Sequence, residues 1–252
     1  MKTRRLGLAL LALFIFCFGA CTANLEVRKN QEEAYRNLGE TYLKEGDYTS
    51  ALREFLKAEE LYPNDPFLHD DLGLTYKAKG KPELAIKHFK KALELNPDYA
   101  PARNNLGTAY LAQKQWDLAI EQFKEVSQNL LYATPHYPLS NLGLAYYHKG
   151  EYDAAEKYYK EALDLEPKFI YAILGLARTY IAMGKISKAV TTLEPAIKDY
   201  PRFAPLYFDL ARAYALSHDY KKAFEAYQKV IELSPDTALA REAQTEAQNL
   251  RR

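Results

Sequence analysis

Few residues in this chain have the type and spacing to do chemistry. The five histidines, His69, His88, His136, His148 and His218, are scattered, and none stands four residues from another. Their spacing therefore predicts no metal site. The only cysteines are Cys17 and Cys21, so the chain beyond them can form no disulfide, no CxxC redox pair and no cysteine-ligated zinc. No nucleophile elbow, glycine-rich phosphate loop or dinucleotide fingerprint is present. Carboxylates are abundant, but they recur in pairs such as Glu156 and Lys160, four residues apart, which belong on a solvated helix face. Together these features predict a protein that is not an enzyme, uses no cofactor and acts on no small-molecule substrate.

The remaining features concern anchoring and binding. The 252 residues carry 34 Lys plus Arg against 33 Asp plus Glu, without the one-sided basic charge that nucleic acid requires. Met1 to Arg5 is basic, Leu6 to Phe18 is an apolar run of 13 residues, and Gly19, Ala20 and Cys21 follow. At 1.5 Å per residue such a run falls short of a hydrocarbon core of about 30 Å, which predicts a signal peptide over residues 1–20 and no permanent span. Small residues directly before a cysteine resemble the lipobox of bacterial lipoproteins, with Phe18 where leucine is usual. The resemblance implies that Cys21 is acylated and becomes the new N-terminus, a membrane anchor. Thr22 in place of aspartate implies the outer membrane, on its periplasmic face. Residues 21–31 then form a tether of at most about 35–40 Å when extended. Loss of Lys2, Arg4 and Arg5 leaves 31 basic residues against the same 33 acidic ones.

The elements that must carry any binding surface are repeats. Leu38-Gly39, Leu72-Gly73, Leu106-Gly107, Leu142-Gly143, Leu176-Ala177 and Leu210-Ala211 recur at spacings of 34, 34, 36, 34 and 34. Each is followed by a tyrosine, from Tyr42 to Tyr214, and nine residues later by an alanine, from Ala51 to Ala223. Phe55, Phe89, Phe123, Tyr159, Leu193 and Tyr227 come next, and Pro63, Pro97, Pro167, Pro201 and Pro235 close the units. These periods predict two amphipathic helices per unit, with Gly46, Gly80, Gly150 and Gly184 as left-handed caps and the prolines as stops. Trp116 occupies the slot of Tyr48, Tyr152 and Tyr220, which predicts a core position. The pattern is identified as that of the tetratricopeptide repeat. Its fold is an all-α, right-handed superhelical solenoid, here of six repeats, 32–65, 66–99, 100–133, 136–169, 170–203 and 204–237. Leu239, Ala243, Ala247 and Leu250 form one stripe, predicting a capping helix over 238–252.

In this family certain first-helix positions face a groove. In the first three units they are polar, including Arg36, Glu40, Asp70, Asp71, Asn104, Asn105 and Thr108. In the last three they are Tyr137, Leu144, Tyr147, Tyr171, Leu174, Arg178, Ile181, Phe208 and Arg212. Aromatic side chains beside guanidinium groups are the material of protein-binding hot spots, so the second set is the expected partner site. Glu40 stands where carboxylate-clamp repeats need asparagine, which speaks against a chaperone-tail receptor.

The step of 36 residues falls at Asn129 to Pro138, where Leu131 replaces the closing proline. This stretch, leading into Asn141-Leu142-Gly143-Leu144, resembles the corresponding junction of the type IV pilus pilotin lipoproteins of the PilF, PilW and Tgl type. That resemblance implies a protein partner, a secretin subunit of the outer membrane, whose localisation and assembly the lipoprotein promotes. Two other resemblances stay open: a periplasmic adaptor that organises peptidoglycan hydrolases, and a component of outer-membrane protein assembly.

Overall fold

A helical hairpin needs a turn that reverses the chain within two or three residues, and a left-handed residue at the end of the first helix supplies it. The computed structural model describes residues 25–129 and 132–250. The signal segment, Cys21, Leu130, Leu131, Arg251 and Arg252 lie outside the described residues. Among the described residues the chain is all-α, with thirteen helices and no strand. They are α1 (25–45), α2 (Tyr48–Leu61), α3 (Pro66–Ala78), α4 (Pro82–Leu95), α5 (Ala100–Ala112), α6 (Trp116–Ser127) and α7 (His136–Lys149). There follow α8 (Tyr152–Leu165), α9 (Ile170–Ala182), α10 (Ile186–Asp199), α11 (Ala204–Leu216), α12 (Tyr220–Leu233) and α13 (Ala238–Asn249). Two compact units are present, one ending at Ala109 and one beginning at Tyr110, so that the boundary lies within α5.

Every hairpin turns in the same way. Gly46, Gly80, Gly150 and Gly184 have φ between 68° and 81°, and the third and sixth turns place Lys114 (φ 59°) and His218 (φ 62°) in the same slot. In all six turns the following residue donates its N–H to the carbonyl of the recurring tyrosine, as in Asp47 to Tyr42 at 2.9 Å and Lys185 to Tyr180 at 2.8 Å. This six-to-one bond satisfies a carbonyl that the helix end would otherwise leave free. The tyrosine backbone is thus part of the turn.

The second helix of each hairpin buries one stripe. Ala51, Phe55 and Ala58 are fully buried, as are Ala85, Phe89 and Ala92; in the second unit Ala155, Tyr159 and Ala162 behave alike. Burying each aromatic ring contributes about 1.5–3 kcal/mol. The rings fit because the facing helix is small where they touch it. A methyl group added at Gly39 or Gly73 would collide with Phe55 or Phe89. Tyr159 is enclosed twice, against Gly143 of α7 and Gly175 of α9.

The structure departs from the sequence reading in three places. Residues 25–31, expected as tether, are the first two turns of α1, and Arg28 donates to the carbonyl of Glu60 at 3.2 Å. At 1.5 Å per residue those seven residues span about 10 Å, less than half their extended length. Leu38, the first of the recurring leucines, is 43% exposed, because among the described residues no earlier hairpin covers it. Trp116 is half-buried, stacked on His148 at 4.8 Å between ring centroids, not in the core. At the other end α13 buries Ala240, Ala243 and Ala247, the last two in one cluster with Tyr227 and Val230 of α12.

Lys114 occupies a conformation that costs a side-chain-bearing residue about 1–2 kcal/mol, and glycine returns about 0.4–1 kcal/mol through the unfolded state. Lys114→Gly should therefore stabilise the protein by about 0.5–1 kcal/mol, read as a higher urea midpoint, whereas Gly150→Ala should lower it. A lower midpoint for Lys114→Gly would contradict the account of the turn.

Candidate partner-binding groove

Four helices of the second unit build the candidate site, and their spacing follows from the contacts of Tyr159. With glycine on both sides of that ring, the backbones of α7 and α9 approach it without side chains of their own. A cavity of about 440 Å³ is left beside it, lined by Ser140, Asn141, Leu144, Tyr147 and His148 of α7, Tyr159 of α8, Tyr171, Leu174, Gly175 and Arg178 of α9, and Arg212 of α11. Six of the nine predicted groove residues are in this lining: Leu144, Tyr147, Tyr171, Leu174, Arg178 and Arg212. Tyr171 is the most open, at 63% exposure, while Leu174 contributes only a buried floor.

The other three lie elsewhere. Tyr137 is exposed at the start of α7 and packs edge-on against Phe169 at 4.8 Å, outside the cavity lining. Ile181 packs against the core cluster around Tyr159 and Tyr180. Phe208 is 6% exposed and sits in the core edge-on to Tyr227, so it has almost no surface to offer a partner. Its position in the repeat is that of a groove residue, but the α11–α12 hairpin uses its ring for packing.

The arginines are held by a residue the sequence reading did not single out. Asp209 of α11 is 1% exposed; Arg178 donates to it from Nε at 2.7 Å, and the Arg212 guanidinium lies 3.9 Å away. Burial raises the Asp209 pKa and the Arg178 charge opposes that rise. The signal was present: Asp209 fills the slot where other units carry Asn37, Asn105 and Asn141, and Arg212 follows it by three residues. Asp209 thus presents two cations to the cavity from beneath.

The polar face of the first unit has a different character. Asn105 donates to Asp70 at 2.9 Å, Lys77 donates to Thr108 at 2.9 Å, and Arg36 lies between Glu40 and Asp65 at 4.0 and 3.5 Å. One arginine faces more acids than it can neutralise. Burial, then the Glu40 and Asp70 charges, push the Asp71 carboxyl up to about 8, and burial pushes Asp70 to about 6. Glu32 rises to about 7 through burial and the neighbouring Asp65.

Comparison with known proteins places this geometry in a family. Tetratricopeptide-repeat models match residues 32–65, 73–114, 146–214 and 204–237. The chain belongs to the tetratricopeptide-repeat family. Among curated relatives this tetratricopeptide protein is 29% identical over 89 residues to anaphase-promoting complex subunit 7 of Arabidopsis thaliana, across 35% of this chain and 16% of that one. It is 43% identical over 51 residues to a DnaJ homolog subfamily C member 3 homolog of Dictyostelium discoideum, across 20% of this chain and 10% of that one. The match to such relatives therefore spans only a small fraction of their length. Two solved structures are matched over almost their whole length. The chain resembles PilF of Pseudomonas aeruginosa at 24% identity and a TM-score of 0.73, with 87% of this chain on 99% of that one. It resembles PilW, described as a widely conserved type IV pilus biogenesis factor, at 20% identity and a TM-score of 0.79, with 84% on 98%. At these identities the likeness is one of fold.

Two outcomes follow from the charges. Arg178→Leu leaves Asp209 buried with only the more distant Arg212, and should cost about 1–3 kcal/mol in urea unfolding. Adding Asp209→Asn should restore most of that loss, and a double variant as unstable as the single one would contradict the pairing. In the first unit, an acid whose pKa folding raises keeps its proton where the unfolded chain has lost it. The stability it confers is complete below about pH 4 and disappears as pH rises through about 8. Melting temperature should thus fall between pH 5 and pH 9, and Asp71→Asn should flatten that fall, melting about 3 °C above the parent at pH 9. Parallel pH profiles would exclude Asp71 as the cause.

Proposed function

We propose that this chain is a lipid-anchored scaffold that holds a secretin subunit in the groove of its second unit and promotes its localisation and assembly in the outer membrane for type IV pilus biogenesis. The observation that carries the reading is the cavity between α7, α9 and α11, where Leu144, Tyr147 and Tyr171 stand beside two arginines held by Asp209. Apolar aromatic area desolvates a partner, while half-exposed guanidinium groups reward one that brings carboxylates. A segment that is both apolar and acidic fits this combination better than any small substrate. The near-complete overlap with the PilF and PilW folds supports assigning the segment to a pilus assembly component.

The anchor belongs to the same proposal. Acylation of Cys21 holds the array at the periplasmic face of the outer membrane, and helix α1 begins by residue 25, only four residues beyond that cysteine. The first unit is then kept within a short distance of the lipid surface, and a bound subunit is retained with it.

The test is affinity purification of the tagged full chain from solubilised envelopes, beside Tyr147→Ala with Tyr171→Ala. Both tyrosines line the cavity outside the core clusters' fully buried set, so the fold should persist. A secretin subunit should be recovered with the parent and weakened about 30-fold or more in the variant, as expected when a hot spot contributing about 2 kcal/mol is removed. In the Cys21→Ser variant the secretin should lose its normal outer-membrane location. Recovery of peptidoglycan hydrolases in its place, or capture unaffected by the two substitutions, would overturn the proposal.

A further inference from the structure

Three side chains that the repeat does not need converge in the first unit, each from a different helix. Glu59 lies on α2, His69 on α3 and His88 on α4. The slot of Glu59 holds Leu93, Leu163, Ile197 and Ile231 in other units, that of His69 holds Leu139 and Ile173, and that of His88 holds Gln122 and Thr192. The hairpin fold is therefore made elsewhere without them. In this unit one ligand atom from each lies within 4.8 Å of the other two. His69 Nδ1 is 3.0 Å from His88 Nδ1 and 3.8 Å from Glu59 Oε1.

The surroundings set the orientation of both rings. His69 Nε2 is 2.9 Å from the carbonyl of Pro63, which can only accept, so Nε2 carries the proton and Nδ1 is left with a free lone pair. That lone pair faces His88 and Glu59. His88 is stacked on Tyr76, with ring centroids 5.2 Å apart, and both histidines are buried. Beside the three groups is a cavity of about 390 Å³, lined further by Pro63, Asn64, Lys87, Lys91 and Glu94.

We propose that Glu59, His69 and His88 form a binding site for a divalent transition-metal ion, of which zinc is the best fit. Two ligands about 2.0–2.1 Å from a tetrahedral zinc stand about 3.3 Å apart, close to the separation of the two Nδ1 atoms. Glu59, with Oε1 3.8 Å from His69 Nδ1, reaches the same centre by a side-chain shift of about 1 Å, and a water from the adjoining cavity completes four ligands. Imidazole nitrogen with one carboxylate suits zinc, cobalt, nickel or copper, and not calcium or magnesium. The Pro63 carbonyl behind His69 acts as an outer partner, orienting the ring and its tautomer. Binding displaces no net proton, because His88 moves its own from Nδ1 to Nε2. The three ligands are 10 and 19 residues apart, so the ion joins α2 of the first repeat to the hairpin of the second.

The test uses the full chain in detergent, carrying an affinity tag without histidines and stripped of metal by chelation. Zinc is titrated by calorimetry, and cobalt by the visible absorption of a tetrahedral centre. The variants are His88→Gln, Glu59→Leu and His69→Leu, each placing in the slot a residue another repeat tolerates. One zinc per chain is expected, with tetrahedral cobalt bands and a melting temperature raised by zinc. Affinity should fall at least about 100-fold in either histidine variant, each of which keeps its helical circular dichroism. Absence of binding in the parent, or equal binding in all four proteins, would overturn the proposal, as would six-coordinate cobalt spectra.

Discussion

The approach of an aromatic ring to a residue without a side chain is the contact on which the rest of this protein depends. Phe55, Phe89 and Tyr159 can lie fully buried only because Gly39, Gly73 and Gly143 leave them room. Each such contact sets how closely two helices pack and thereby which first-helix positions are left facing outward. Overpacking at one of these glycines would cost about 1–3 kcal/mol and move the helix pair apart. The second unit uses the contact twice around one ring. Gly175 takes the slot that holds asparagine in three other units, and the space where that amide would stand is part of the candidate groove. Packing and binding thus arise from the same substitution.

Charge divides the two units. In the second, a single buried aspartate is matched by two arginines, and the positive excess faces the cavity. In the first, the acids outnumber the one arginine among them, and burial keeps several protonated beyond their usual range. A partner carrying both carboxylates and apolar side chains would be drawn to the second unit and repelled from the acidic face of the first. Specificity of this kind rests on repulsion as much as attraction.

Much of this was legible in the sequence because a repeat states its rule six times. The periods of the alanines and aromatics located the second helices, and Gly46, Gly80, Gly150 and Gly184 located the turns. What stayed hidden was individual to one unit. Lys114 and His218 fill the left-handed slot without a glycine, so composition alone does not mark it. Phe208 has the repeat position of a groove residue but is drawn into the core by Tyr227. Asp209 fills a slot that is asparagine in three other units, and only the arrival of Arg178 from 31 residues earlier shows its part. Glu59, His69 and His88 obey no linear spacing, since three helices bring them together.

The central claim, that a protein partner occupies the cavity of the second unit, is tested most directly by site-specific photocrosslinking in the intact envelope. A benzophenone amino acid is placed at Tyr171 or Leu144, on the cavity rim, and as a control at Tyr220 or Leu165, which are exposed elsewhere on the same unit. The account predicts a discrete adduct containing a secretin subunit from the first pair and none from the second. Adducts of equal yield from both pairs, or a partner captured only at Tyr220 and Leu165, would contradict it.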